Sequence, residues 1–171
     1  MVRHSIQTCS SCEVFEGGKK EIGYDIPLRG LKTAVEYMLS RSTQLPHLED
    51  PEAQYRVIRS FLSAVRKWQP KAWNEPKEYI LLRGSGLWAI FFIGAQVIDR
   101  VLQQGQHSSN EMLVILKSGK DWDWSNKGDF KGLGGRAGAV EISIRVVKRL
   151  HSGSRISTKE LFDQIMSDSD Y

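Results

Sequence analysis

Cysteine is nearly absent from this chain. Only Cys9 and Cys12 carry a thiol among 171 residues, and both stand close to the N-terminus. That excludes a disulfide-stapled scaffold, which needs several bridges to replace a core. Cys9-Ser-Ser-Cys12 has the spacing of a zinc half-site, but a closed site takes about four ligands. His4 could supply a third, and no second C-x-x-C completes the set. Cys9 and Cys12 are therefore expected to be dispensable and no metal is expected. Histidine is sparse too: His4, His47, His107 and His151 are scattered, with no HExxH pair. No G-x-S-x-G elbow and no Walker A loop occurs. Gly84-Ser85-Gly86 lacks the elbow's flanking pattern and reads instead as an N-cap. No catalytic residue and no cofactor is expected. Long apolar runs are also missing. Leu87 to Ile98 is the longest, is broken by Gly94 and Gln96, and falls short of the roughly 20 residues that span a bilayer. No apolar segment of the signal-peptide kind follows Met1 to Gln7. The expectation is a cytoplasmic chain with reduced thiols and no membrane partner.

What is present is one domain's worth of helical pattern. A chain this long buries roughly 70% of its unfolded surface without staples. Residues 1–13 read as a tail, residues 14–152 as a helical domain, and residues 153–171 as a C-terminal helix and tail. The Gly- and Lys-rich 16–23 stretch reads as a turn. A helix should begin near Pro27, with Leu28, Leu31, Val35, Met38 and Leu39 on one face, and end at Leu45-Pro46. The next is the clearest. Asp50 caps it, Pro51 opens it, and Tyr55, Ile58, Phe61, Leu62, Val65 and Trp68 form its apolar stripe. Pro70 and Pro76 bracket a loop. Tyr79 to Leu82 fits a short strand or a helical turn. From Gly86 to Gln104 the pattern favours a buried helix, with Asp99 and Arg100 at its wet end and Gly105 as its stop. Ser108 or Ser109 should cap a short helix through Met112, Ile115 and Leu116. Lys117 to Gly138 places Trp122, Trp124 and Phe130 among glycines and charges, which fits a structured loop folded onto the body. Val140, Ile142, Ile144 and Val146 alternate like a strand, but Val147 and Leu150 restore a helical face. The fold class is mainly α: a compact bundle of five or six helices with a Gly/Trp-rich structured loop.

The net charge of +4 and the isoelectric point near 9.1 permit a polyanionic partner without requiring one. Arg56, Arg59, Arg66 and Lys67 lie off the apolar stripe of the Asp50-capped helix, and Arg145, Lys148 and Arg149 off that of the later one. They are candidates for phosphate contact, although solvated helix faces carry the same residues. Trp68, Trp73, Trp122 and Trp124 could stack on bases, with core packing the competing role. Gly132-Leu133-Gly134-Gly135-Arg136 is a second candidate. Glycines before a helix expose N–H groups to an anion, or simply let Trp124 or Phe130 pack closely. Arg136 at a positive helix end calls for an anionic neighbour, either an external phosphate or one of Asp121, Asp123 and Asp129.

Four segments taken together carry a family resemblance. They are Gly17 to Leu39, "FLSAVRKWQPKAW" within Tyr55 to Trp73, "YILLRGSGLWAIFFIGAQVI" from Tyr79 to Ile98, and "GDFKGLGGRAGA" from Gly128 to Ala139. Their order resembles the C-terminal helical part of DGQHR-domain proteins, over roughly residues 14 to 150. Members of that family are bacterial and phage proteins, some linked to DNA modification and defence. The Asp-Gly-Gln-His-Arg hallmark itself is missing; Gly105-Gln106-His107 lies in the wrong part of the chain. The resemblance implies a non-enzymatic, nucleic-acid-associated module with DNA as partner. A protein-interaction module that docks onto a DGQHR-bearing partner is the alternative, and a nucleotide-using enzyme working through the Gly-rich loop is a third.

Overall fold

A computed structural model describes residues 28–118, 121–151 and Asp163. The 1–13 tail with Cys9 and Cys12, the turn at 16–23 and, but for Asp163, the helix and tail beyond residue 152 lie outside these residues. Among the described residues the chain is mainly helical: α1 (Leu28–Arg41), a 3-10 turn (Leu45–His47), α2 (Pro51–Trp68), α3 (Pro70–Asn74), α4 (Gly84–Gln103), α5 (Ser109–Lys117) and α6 (Gly135–Leu150). No strand forms there; Tyr79 and Ser125 make an isolated antiparallel bridge. Tyr79 to Leu82 is thus neither the expected strand nor a helical turn. Ile80 donates its N–H to the Trp124 carbonyl and Asn126 to that of Glu78, so the segment is spent holding the later loop.

Helix α4 is the axis of the fold. Fourteen of its 20 residues are buried, which means that it meets protein on most sides. It packs on α6, α1, α5 and α2. Its 20 residues have the length and composition to cross a membrane, but two thirds of its most apolar window (67%) is buried by neighbouring helices. Both α2 and α1 press on α4 at Gly94: a Cβ there would come within 2.7 Å of the Phe61 ring of α2 and 2.8 Å of the Met38 methyl of α1. At the other end Gly86 sits against the Ile80 carbonyl, where any side chain would collide with backbone. Ser85 is therefore not an N-cap. It lies inside the first turn and donates to the Leu133 carbonyl at 2.8 Å, while Arg83 takes the cap position without a side-chain bond to the helix start.

Helix α2 starts as expected. Asp50 accepts from the Glu52 N–H at 3.0 Å, and Pro51 fills the first position, whose N–H would lack a partner anyway. Its buried face is Val57, Phe61, Ala64, Val65 and Trp68. Ile58 and Leu62 flank that face, and Tyr55 is 50% exposed, so the stripe is rotated from the one drawn through the largest side chains. The Pro70–Pro76 connection contains α3, because Pro70 opens a helix as readily as it ends one. Ser108 and Glu111 form a full capping box for α5: the Ser108 N–H donates to the Glu111 carboxylate at 2.8 Å and the Glu111 N–H to the Ser108 hydroxyl. Those bonds hold the Glu111 carboxyl below the usual carboxylate range.

Asp99 departs most from expectation. It is buried, not at a wet helix end. Its carboxylate accepts from the Ser42 hydroxyl, the Thr43 N–H at 2.8 Å, the Thr43 hydroxyl at 2.9 Å and the Gln44 N–H at 3.1 Å. It thereby gathers the donors where the chain leaves α1 and ties that corner to α4. The loop over 121–134 folds onto the body, as the aromatics imply. Trp124 and Phe130 are buried, with ring centroids 4.7 Å apart, and Trp124 meets Trp68 edge-on at 5.8 Å.

Candidate nucleic-acid interface

All eight basic candidates are exposed, so each is available to solvent. They fall into two sets on differently packed helices. Arg56, Arg59, Arg66 and Lys67 belong to α2, which packs chiefly on α5; Arg136, Arg145, Lys148 and Arg149 belong to α6, which packs chiefly on α4. Neither of two cavities among the described residues, of about 550 and 640 Å³, brings the two sets together. Part of each set is already engaged. Arg56 lies 3.5 Å from Asp50 and 3.9 Å from Glu52. Lys67 donates to the Asn110 side chain at 3.1 Å and to the Ser109 hydroxyl at 3.3 Å. Arg145 pairs with Glu141 at 2.6 Å and reaches the Asp129 carbonyl at 3.4 Å. Exposed pairs of this kind are worth at most about 1 kcal/mol, so a phosphate competes easily for the same guanidinium. Arg66 and Lys67 end α2, and Lys148 and Arg149 end α6, where cations complement the helix dipole whatever else they do.

Two members of the α2 set, Arg56 and Arg59, line a concavity. A cavity of about 550 Å³ opens between α2, the end of α4 and the start of α5. Leu48, Ala53, Val57 and Leu102 give it apolar walls, while Arg56, Arg59 and His107 bring nitrogen donors. Ser60, Ser63 and Ser109 add hydroxyls. Ser63 sits one turn after Arg59 and donates back to its carbonyl at 2.9 Å. The Lys67 contacts with Ser109 and Asn110 hold the ends of α2 and α5 together at one side of the cleft. His107 was not recognisable from the sequence as part of this set. It stands just before the α5 capping box, and only the packing of α5 on α2 brings it beside Arg56 and Arg59.

The Gly-rich run serves backbone geometry. Gly132 and Gly135 have φ of +79° and +62°, the left-handed region that glycine enters without penalty. Gly134 is the N-cap of α6 and offers no side-chain bond. The close approach occurs at Gly138, where a Cβ would lie 2.6 Å from the Leu133 carbonyl carbon, and not at Trp124 or Phe130. Arg136 forms no ion pair or hydrogen bond among the described residues, so the expected pairing with Asp121, Asp123 or Asp129 is not made. Asp123 and Asp129 instead serve their own loop, through the Ser125 and Asp123 N–H groups.

Comparison with protein-family models, curated proteins and solved structures finds no match to this chain. Base stacking by the tryptophans loses most of its basis, since Trp68 and Trp124 are core residues and Trp73 and Trp122 pack half-buried against them. No group of three or more His, Cys, Asp or Glu side chains gathers among the described residues.

Proposed function

We propose that this chain is a non-enzymatic, nucleic-acid-associated helical module whose phosphate contacts are made by the α2–α5 cleft. The observation that carries it is the convergence of Arg56, Arg59 and His107 on one concavity with the Ser60 and Ser109 hydroxyls. Guanidinium and hydroxyl donors are the groups that hold phosphate oxygens, and they fix a backbone without reading its sequence. The likeness of the sequence to the C-terminal part of DGQHR-domain proteins supports a place in DNA modification or defence. The experiment is a salt titration of binding to duplex and single-stranded DNA. Phosphate-dominated binding weakens linearly in log–log form as salt rises, by roughly 0.9 of a log unit per contacted phosphate on duplex DNA. Arg59→Ala should weaken binding to unrelated sequences alike. No binding at low salt would replace this function by a protein-docking one, with a DGQHR-bearing protein as the partner to test.

A further inference from the structure

Arg136 lines a second cavity, of about 640 Å³, away from the α2–α5 cleft. The other lining residues are Thr33, Glu36, Tyr37, Ser40 and Arg41 of α1 and Trp88 of α4. The α1 residues recur every three or four positions, so one face of that helix supplies most of the cavity. Its aromatic part is firmly backed. Tyr37 and Trp88 meet edge-on with centroids 6.3 Å apart, and both rest on Phe92, at 4.4 Å and 6.0 Å. Trp88 is only half-buried, which leaves part of its ring open to a ligand. The Arg41 guanidinium lies 5.0 Å from the centre of the Tyr37 ring. Arg136 comes from α6, exposed and without a bonding partner among the described residues. Glu36 is the one carboxylate, and Lys32 answers it at 3.7 Å. The balance is thus two guanidinium groups beside an aromatic wall, in a volume within the roughly 300–1,000 Å³ of small-molecule sites.

Each component selects a ligand feature. An indole and a phenol present π-faces and edges to a flat ring. A guanidinium prefers a carboxylate or a phosphate, which it meets with two parallel N–H bonds. We infer that this cavity binds a planar aromatic ligand bearing one anionic group, the ring lying on Trp88 and Tyr37 and the anion on Arg136. A nucleoside monophosphate and an aryl carboxylate share that chemistry. The inference is separate from the DNA-binding function and stands or falls without it.

Calorimetry on the full chain tests it, with deoxyadenosine 5′-monophosphate and phenylacetate as anionic probes and deoxyadenosine as the uncharged one. At least one anionic probe should saturate with a Kd of about 1 mM or tighter. Deoxyadenosine should bind about tenfold more weakly than its monophosphate if the nucleotide is the better ligand, because one charge-assisted bond is lost. A tenfold preference for either anionic probe identifies the source, and equal binding supports the shared chemistry. Arg136→Ala, an exposed change that disturbs no bond, should weaken the preferred probe about tenfold. Trp88→Leu should do the same, with a melting curve to establish that it folds; if it does not, Arg136→Ala decides alone. No saturation by either anionic probe, or wild-type affinity in Arg136→Ala, overturns the inference.

Discussion

A single carboxylate organises the corner between α1 and α4. Asp99 collects four donors from Ser42, Thr43 and Gln44, and two of these donors are backbone N–H groups at a helix exit. Removing the acceptor leaves them short of partners in a largely buried place, and each such loss costs about 1–3 kcal/mol. Asp99→Ala should lower unfolding stability by about 3 kcal/mol in urea denaturation, and Asp99→Asn by less, since one carbonyl oxygen survives. A loss under about 1 kcal/mol for the alanine variant would show that water replaces the carboxylate there. His151, the C-cap of α6, acts in the opposite electrostatic sense. Burial, and then the nearby Arg100 charge, hold its pKa below the ordinary histidine value of 6.5. The folded state therefore resists protonation more than the unfolded chain does. The stability tied to this neutral ring is complete above about pH 6.5 and is lost as pH falls through the lowered folded value. Melting temperature should drop between pH 7.5 and pH 5.5, and His151→Gln should flatten that part of the profile. An unchanged profile in the variant would assign the drop to other groups.

At the scale of elements, α4 decides whether the chain has a core. Phe92 is 2% exposed and stands under both Tyr37 and Trp88, where α1 crosses α4. Phe92→Ala should cost about 3–5 kcal/mol by the removed transfer energy and the cavity left behind. A change below about 1 kcal/mol in chemical denaturation would make the crossing peripheral. How much of such an element can be read from sequence depends on the range of the forces that shape it. Asp50-Pro51 and the Ser108–Glu111 box act within four residues, so both helix starts were legible. The near-continuous apolar run of α4 marked it as buried for the same reason. Asp99 was misplaced because its partners lie 55 to 57 residues away, and a lone aspartate near a helix end ordinarily faces water. Tyr55 was drawn into the α2 stripe by its size, yet the stripe turns on Val57 and Ala64, which are buried although their side chains are smaller. The cleft was half legible: the spacing of Arg56 and Arg59 is local, whereas His107 joins them only through the α2–α5 contact.

At the scale of the whole molecule, charge is plentiful but divided. The two basic sets belong to differently packed helices, α2 against α5 and α6 against α4. Arg56 and Arg59 stand in a cleft with serine hydroxyls, whereas Arg145, Lys148 and Arg149 line neither of the two cavities. The two sets should then contribute unequally to the salt dependence of DNA binding. Each phosphate contact removed from duplex binding lowers the log–log slope by about 0.9. Arg56→Ala with Arg59→Ala should reduce the slope by about 2 and weaken binding to all sequences by a similar factor. Arg145→Ala, Lys148→Ala and Arg149→Ala together remove more formal charge and should leave the slope close to that of the unaltered chain. Both combinations change only exposed residues, so melting temperatures establish whether folding is intact. Equal slopes in the two combinations would show that binding follows net charge alone, and the α2–α5 cleft would lose its claim to be the interface.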